Sequence, residues 1–145
     1  MKTAIIGTGN LGRSIAKGLI INNAITSLYL TRRSLDNLKE FDGYKNVHLT
    51  TDNSLAVQQS DILIFAVQPA HLQSILESVA PHLTEKHIVI STITGFSISK
   101  IENIVGAQHH IIRAMPNTAI AVGKSMTCLC SNNSGKARIS VAEAI

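Results

Sequence analysis

The sequence predicts an α/β fold in which helices flank a doubly wound, mostly parallel sheet. Short apolar strands alternate with amphipathic helices over most of the 145 residues, which is the pattern of a parallel sheet. The run Ile62–Val67 is continuously apolar, as expected for a central strand buried on both faces. A glycine-rich turn, Gly7–Gly12, joins the first strand to the first helix. This arrangement suits a single domain.

The elements follow in chain order from hydrophobic periodicity and helix-capping residues. The predicted strands are Lys2–Gly7, Leu28–Thr31, Val47–Thr50, Ile62–Val67, His87–Ser91, His110–Ala114 and, more weakly, Ser125–Cys130. The predicted helices end near Asn22, Glu40, Gln59, Ala80, Val105, Val122 and Ile145. Their expected N-terminal residues include Ser34, Asp52 or Asn53, Pro69, Ser97 and Ser134, which are types that favour helix starts.

The first turn carries the pattern G-x-G-x-x-G between a strand and an amphipathic helix. Gly7 allows the tight turn, Gly9 lets the backbone approach a pyrophosphate, and Gly12 lets the helix pack closely on the strand. The helix N-terminus adds unpaired N–H groups and partial positive charge. An ordinary glycine turn is the alternative, but this context favours a Rossmann-type dinucleotide site.

The end of the second strand indicates which dinucleotide fits. An NAD site has an Asp or Glu about 20 residues beyond the glycines. Here the chain reads Thr31-Arg32-Arg33-Ser34, and the first acid is Asp36. Guanidinium donors and a hydroxyl suit a 2′-phosphate, so NADP(H) is predicted over NAD(H). The alternative is a solvated pair of surface arginines.

Ligands of such sheets bind beyond the carboxyl ends of the strands. The loops expected there are Gly7–Gly12, Thr31–Ser34, Thr51–Asn53, Val67–Ala70, Ser91–Gly95 and Met115–Thr118.

Composition argues against several other functions. The net charge is +4, but the basic residues are scattered and aromatics make up 3%, which does not favour nucleic-acid binding. No apolar stretch reaches the roughly 18 residues of a membrane span, and Gly7 and Gly9 interrupt the first apolar run, which is unlike a signal peptide. Cys128 and Cys130 are interpreted as small core residues rather than zinc ligands. A cytoplasmic location is expected.

Three further patterns are weaker. Arg13 either assists the pyrophosphate or is a solvated helix residue. Ser97-Ile-Ser-Lys100 matches S-x-x-K, but a helix cap followed by a surface lysine is the better interpretation. His109 and His110 are adjacent on a strand, so they point to opposite faces and do not share a metal.

The run Ile111-Ile-Arg-Ala-Met-Pro-Asn-Thr118, with Gly123 and Met126 after it, resembles the pyrroline-5-carboxylate reductases. The stretches Ile6–Gly12, Ser60–Pro69 and Ile88–Gly95 agree with that resemblance. The family reduces a cyclic imine to L-proline with NAD(P)H. The resemblance implies the same hydride transfer here, and no catalytic residue is identified in this chain.

The resemblance also implies site residues. Ile6–Leu11, Arg33, Ser34 and Asn53 contact the phosphate and adenosine side, whereas Asn117 and Thr118 lie near the nicotinamide and substrate. Ala66–Pro69 and Thr92–Thr94 line the nicotinamide half. The full predicted cofactor set is Ile6, Gly7, Thr8, Gly9, Asn10, Leu11, Gly12, Arg32, Arg33, Ser34, Asn53, Ala66, Val67, Gln68, Pro69, Thr92, Ile93 and Thr94.

The chain departs from the family pattern at Gln68, Ile93-Thr94 and Ala119, where Lys, Ala-Ala and Pro are usual. A related imine or hydroxyacid substrate therefore stays open, as does a non-catalytic nucleotide-binding module. By resemblance, residues 1–130 form the NADP-binding domain and residues 131–145 begin the helix leading to a helical dimerisation domain. That domain makes a homodimer or larger oligomer, so these residues alone are expected to be inactive.

Overall fold

The structure, a computed structural model, describes residues 1–122 and 124–145, with only the backbone described at Thr118. Seven strands form one sheet in the order β3-β2-β1-β4-β5-β6-β7. Neighbours from β3 to β6 are parallel, and β7 runs antiparallel to β6. The strands are β1 (Lys2–Ile6), β2 (Ser27–Thr31), β3 (Val47–Thr50), β4 (Ile62–Phe65), β5 (Ile88–Ser91), β6 (His110–Met115) and β7 (Cys128–Ser131). The predicted doubly wound, mostly parallel sheet is confirmed.

Five α-helices and four 3₁₀ helices connect these strands within the described residues. The α-helices are α1 (Asn10–Ile21), α2 (Asn53–Gln58), α3 (Pro69–Val79), α4 (Ile98–Val105) and α5 (Ile139–Glu143). The 3₁₀ helices are Leu35–Phe41, Ala80–His82, Thr118–Val122 and Lys136–Arg138.

Two apolar cores lie on opposite faces of the sheet, because alternate strand residues point to opposite sides. On one face, Ile5 and Ile64 pack with helix α1 and the 3₁₀ helix Leu35–Phe41. On the other, Ile6 and Phe65 pack with α2, α3 and α4. Strands buried on both faces are expected in a doubly wound sheet.

The strand order reverses direction between β1 and β4, which are neighbours in the sheet but not in the chain. β1 continues to β2 on one side, and β4 continues to β5 on the other. The loops after β1 and β4 therefore diverge and leave a crevice at the carboxyl edge. The site described below lies in that crevice.

The structure corrects several local predictions. β4 ends at Phe65 rather than Val67, because its register partner is Ile6, the last residue of β1. The segment after Ser34 is a 3₁₀ helix, and Ser34 makes no side-chain cap bond to the described residues. The predicted helix Gly135–Ile145 is instead a 3₁₀ turn followed by the short α5.

The two cysteines are not core residues, so that interpretation is wrong. Cys128 and Cys130 are both exposed, and they share one face of the edge strand β7. Helix α5 packs against β7 on the opposite face, where Leu129 joins the core with Val141. The cysteine face is therefore open to solvent.

Within the described ranges, no helix combines the length and apolarity that crossing a membrane requires. The same residues contain no group of three or more side chains placed to hold a metal ion. Gly123, which belongs to the motif after Asn117, lies outside the described residues.

Candidate functional site

The glycine turn after β1 is shaped by two close contacts. Gly7 has φ +90°, and a Cβ built on it lies 2.2 Å from Val67 Cγ1. A Cβ on Gly12 lies 2.8 Å from the Gly7 carbonyl oxygen, so helix α1 sits directly against the turn. The predicted roles of these glycines, in turning and in close packing, are confirmed. A side chain at Gly7 would require Val67, in the loop after β4, to move.

Gly9 differs from its neighbours because its surroundings are open. A Cβ built there meets no described heavy atom within 4 Å, and its φ of −80° is ordinary for any residue. The space above Gly9 is thus free for a ligand. Gly9 is also the N-cap position of α1, which has 12 residues and no acidic residue in its first turn.

The first turn of α1 is available to an anion. The Arg13 N–H donates to the Gly9 carbonyl at 2.9 Å, whereas the preceding N–H groups of a helix have no intrahelical acceptor. Those donors and the helix dipole favour a phosphate at this position.

Strand β2 holds the turn from one side. The Gly7 N–H donates to Thr31 Oγ1 at 3.2 Å, and the Thr8 N–H donates to the Thr31 carbonyl at 2.9 Å. Arg32 Nη1 donates to the Thr8 carbonyl at 3.1 Å. Arg32 is half-buried, and through this bond it supports the glycine turn.

Arg33 and Ser34 are exposed at the end of β2 and line the cleft. Arg13, by contrast, points away from the phosphate position. Its guanidinium donates to the Asn37 carbonyl and pairs with Glu40, with Nε 3.4 Å from Oε1. Arg13 therefore serves helix packing, and the alternative of a pyrophosphate contact is not supported.

The crevice at the carboxyl edge is a cleft of about 600 Å³. It brings together the loops after β1, β2, β3 and β4, and no acidic residue occurs among its described lining residues. The predicted residues that line it are Ile6, Gly7, Thr8, Gly9, Arg32, Arg33, Ser34, Asn53, Ala66, Val67 and Gln68. Asn53 is placed there by helix α2, whose cap Asp52 accepts from the N–H groups of Ser54 and Leu55 at 2.8 and 3.1 Å.

Four lining residues were missed by sequence reasoning. His71, Ser74 and Ile75 present one face of α3 to the cleft, and Asn37 enters from the 3₁₀ helix. Their spacing of three and four residues marks one side of a helix. This spacing is the sequence signal for them, since α3 begins at the strand end that borders the crevice.

The remaining predicted cofactor residues do not line this cleft. Asn10, Leu11 and Gly12 belong to the first turn of α1, and Pro69 opens α3. Thr92, Ile93 and Thr94 follow β5, one strand farther along the sheet.

The loop after β5 is anchored at its start. Thr92 Oγ1 donates to the Phe65 carbonyl at 2.9 Å, and the Thr92 N–H donates to the same carbonyl at 3.1 Å. The Ile93 side chain is buried in the core with α4, so only its backbone faces the loop. Thr94 is exposed.

A second cavity of about 460 Å³ lies beside this loop. Thr92, Ala114, Pro116 and Ile120 line it together with the last residues of the chain. Asn117 is exposed, and its Oδ1 accepts from the Ala119 N–H at 3.0 Å. The side chain of Thr118 lies outside the described residues.

The arrangement as a whole can hold an anionic nucleotide. It offers an open glycine, unpaired helix N–H groups and an exposed guanidinium in one crevice. The described lining contains no carboxylate or cysteine, and His71 is its only imidazole. The site can therefore bind and orient a ligand, but it presents no evident acid–base pair.

Comparisons with known proteins show the family of this chain and similar folds. The family model described as "NADP oxidoreductase coenzyme F420-dependent" matches residues 2–95. Pyrroline-5-carboxylate reductase 1 of Dictyostelium discoideum is 42% identical over 135 residues, which cover 90% of this chain and 24% of that protein.

Two solved structures are also similar. The pyrroline-5-carboxylate reductase of Coxiella burnetii has a TM-score of 0.90 and 35% identity, covering 99% of this chain and 54% of its own. The Plasmodium falciparum pyrroline carboxylate reductase, with NADP bound, has a TM-score of 0.84 and 26% identity. That match covers 99% of this chain and 53% of the Plasmodium chain. The chain thus spans a quarter to about a half of these relatives, and the resemblance seen in its motifs is confirmed.

Proposed function

The chain belongs to the family described as NADP oxidoreductase, coenzyme F420-dependent, and from that membership we propose that it is the NADP(H)-binding domain of a pyrroline-5-carboxylate reductase. The observation that carries the proposal is the crevice beyond β1, where the turn is open at Gly9 and Arg33 is exposed at the end of β2. The similarity to reductases of that name supports the choice of activity.

NADP(H) fits the crevice better than NAD(H). Arg33 and Ser34 stand where an NAD site carries an acid for the ribose 2′-hydroxyl. A carboxylate there would repel a 2′-phosphate, whereas a guanidinium donates charge-assisted hydrogen bonds to it. The relative from Plasmodium falciparum was solved with NADP bound, which agrees with this choice.

Different residues of this chain are assigned to different parts of the cofactor. We assign the pyrophosphate to the N–H groups at the start of α1 and the 2′-phosphate to Arg33 and Ser34. We assign the nicotinamide half to Ala66–Pro69 and Thr92–Thr94, with Asn117 and Thr118 near the substrate. Asn53 borders the adenosine side.

When bound, the cofactor would supply a hydride to the imine carbon of pyrroline-5-carboxylate, and the ring nitrogen would take its proton from water to give L-proline. The contribution of this chain is to bind, orient and partly desolvate. Holding two reactants in the right geometry can supply about 7–11 kcal/mol of the barrier. The backbone around Gly7, Gly9 and Thr92 provides rigid placement for one of the two reactants.

The rest of the site is assigned to sequence beyond this chain. In the proposed enzyme, residues 1–130 form the cofactor domain and residues 131–145 lead to a helical domain that completes the substrate pocket and makes a homodimer or larger oligomer. Strand β7 extends to Ser131, one residue beyond that boundary. We place the enzyme in the cytoplasm.

The test is NADPH oxidation in the presence of pyrroline-5-carboxylate. Residues 1–145 are expected to bind NADPH without turnover, because the imine would meet open water. The same chain fused to the remaining half of a longer reductase is expected to turn over. The matched control is the fusion carrying Gly9→Val.

Each other outcome corrects a different part of the proposal. Turnover by the bare chain near the rate of the fusion would mean that the substrate site is complete within these residues. Turnover of another imine or a hydroxyacid, but not of pyrroline-5-carboxylate, would replace the substrate. NADPH binding with no turnover of any substrate by the fusion would favour a non-catalytic nucleotide-binding module.

A further inference from the structure

Arg113 connects strand β6 to the loop that follows β5, near the carboxyl edge of the sheet. It lies in β6 opposite Ser91, the last residue of β5. Its Nη2 donates to the Ile93 carbonyl at 3.3 Å. The guanidinium is half-buried, and within residues 1–122 and 124–145 it forms no ion pair with a carboxylate. Among the described residues, the guanidinium of Arg113 therefore bonds to a backbone carbonyl and not to an acidic side chain.

The contact falls on the loop between β5 and α4, which starts at Thr92 and ends at the Ser97 cap. Thr92 is bonded to the Phe65 carbonyl, and the Ile93 side chain is buried. The Ile93 carbonyl is therefore the last fixed point before the exposed residues Thr94 and Gly95. Gly95 has φ +78° and forms a turn with Thr94.

The strand order puts this loop at the far end of a bound dinucleotide. The 2′-phosphate position is at the end of β2 and the pyrophosphate position is at the end of β1. Neighbouring strands are about 4.8 Å apart, so the nicotinamide of an extended cofactor reaches past β4 toward β5. This placement rests on the proposed function.

We propose that Arg113 is a positioning residue for the nicotinamide end of the cofactor, acting through the Ile93 carbonyl. The guanidinium fixes the direction of the loop at Ile93, and the loop then presents Thr94 and its backbone to the nicotinamide. Arg113 does not touch the adenosine end, which is served by β1 and β2. The same side chain therefore affects one half of the ligand and not the other.

The test compares two ligands that differ only in the nicotinamide group. Calorimetry measures the affinities of NADPH and of 2′-phospho-ADP-ribose, which lacks the nicotinamide, for the wild-type chain and for Arg113→Met. Methionine keeps the length of the side chain and removes its donors. Because the loop is then no longer fixed at Ile93, NADPH affinity is expected to fall about tenfold, while 2′-phospho-ADP-ribose affinity stays within about twofold.

Two further variants complete the design. Arg113→Lys keeps the charge and one donor toward Ile93, so its NADPH affinity is expected between wild type and Arg113→Met. If Arg113→Met does not fold, the comparison of Arg113→Lys with wild type still tests the proposal. Arg138→Met is the matched control, since Arg138 is exposed in the 3₁₀ helix before α5. The fluorescence of bound NADPH is a second readout, because it reports the surroundings of the dihydronicotinamide directly.

The outcomes separate this proposal from the previous one. Equal losses for both ligands would mean a general structural role for Arg113, and unchanged NADPH affinity and fluorescence would mean no role; either result overturns the inference. A wild-type chain that binds neither ligand would overturn the proposed cofactor as well. A selective loss of NADPH affinity, restored in part by Arg113→Lys, supports it.

Discussion

Gly7 and Gly9 are separated only by Thr8 in the same turn, yet they are glycine for opposite reasons. At Gly7 a side chain is blocked by Val67 and strained by a φ of +90°. At Gly9 a side chain meets no described atom, so the fold itself accepts one. The fold requires glycine at the first position, and we propose that the ligand requires it at the second.

Substitution should separate these two requirements. Gly7→Ala is expected to lower the free energy of unfolding by about 2–4 kcal/mol, from overpacking and left-handed strain together. Gly9→Val is expected to melt within a few degrees of wild type and to lose NADPH binding, since its side chain fills the approach of the pyrophosphate. Thermal melting followed by circular dichroism, with calorimetry for binding, measures both. Wild-type NADPH affinity in Gly9→Val would put the phosphates elsewhere.

The two adjacent arginines also differ. Arg32 holds the Thr8 carbonyl at 3.1 Å, whereas Arg33 is exposed in the cleft. Arg32 therefore acts on the turn that any dinucleotide uses. Arg33 is the residue that we assign to the 2′-phosphate, the group that distinguishes NADP from NAD.

Binding of both cofactors to each alanine variant tests this division. Arg33→Ala is expected to lose about ten- to a hundredfold in NADPH affinity, corresponding to one charge-assisted bond, and little in NADH affinity. Arg32→Ala is expected to weaken both cofactors, and Arg138→Ala neither. If NADH and NADPH lose equally in Arg33→Ala, that residue does not read the 2′-phosphate.

Among the elements, α2 and α4 are stabilised by side-chain caps, and the 3₁₀ helix Leu35–Phe41 is not. Asp52 accepts two N–H bonds at the start of α2. Ser97 accepts one, from the Lys100 N–H at 3.2 Å, at the start of α4. Ser34 occupies the equivalent position before the 3₁₀ helix and accepts none from the described residues.

Urea denaturation of the three alanine variants should follow that order. Asp52→Ala is expected to cost about 1–2 kcal/mol of unfolding free energy and Ser97→Ala about 0.5–1 kcal/mol. Ser34→Ala is expected to stay within about 0.5 kcal/mol while weakening NADPH binding. A cost at Ser34 as large as that at Asp52 would contradict the assignment of Ser34 to the ligand.

Sequence reasoning succeeded where local chemistry decides the structure. Strand β3 matches its prediction, and the caps of α2 and α4 were predicted from their residue types, because a cap bonds only its near neighbours. The same reasoning was wrong at Ser34, which makes no cap bond to the described residues. It failed where distant partners decide. The end of β4 depends on where β1 stops, and the exposure of Cys128 and Cys130 depends on which face α5 covers.

The site follows the same division. The glycine turn and the loops at strand ends were predicted, because sheet topology places them at one edge. His71 and Ser74 were missed, because their place in the cleft depends on how α3 packs. For Arg13, the position next to the glycine turn left a pyrophosphate contact open. The structure pairs Arg13 instead with Glu40, which lies in another element.

At the scale of the molecule, the switch point divides the proposed cofactor between two halves of the sheet. In the proposed complex, the phosphates and the adenosine lie at the ends of β1 to β3, and the nicotinamide lies at the ends of β4 to β6. A dinucleotide in the crevice crosses from one half to the other. Ligands that contain only one end of it therefore probe one half of the sheet at a time.

The bonds from Gly7 and Thr8 to Thr31 have a kinetic consequence. Both amides are already paired with β2 before any ligand arrives, so the phosphate turn is assembled during folding. Ligand binding therefore does not have to order the turn, and the conformational entropy lost in ordering it does not weaken binding. For the proposed nucleotide we therefore expect association to depend on diffusion and on the charge of Arg33, and differences in affinity among nucleotides to appear mainly in the dissociation rate.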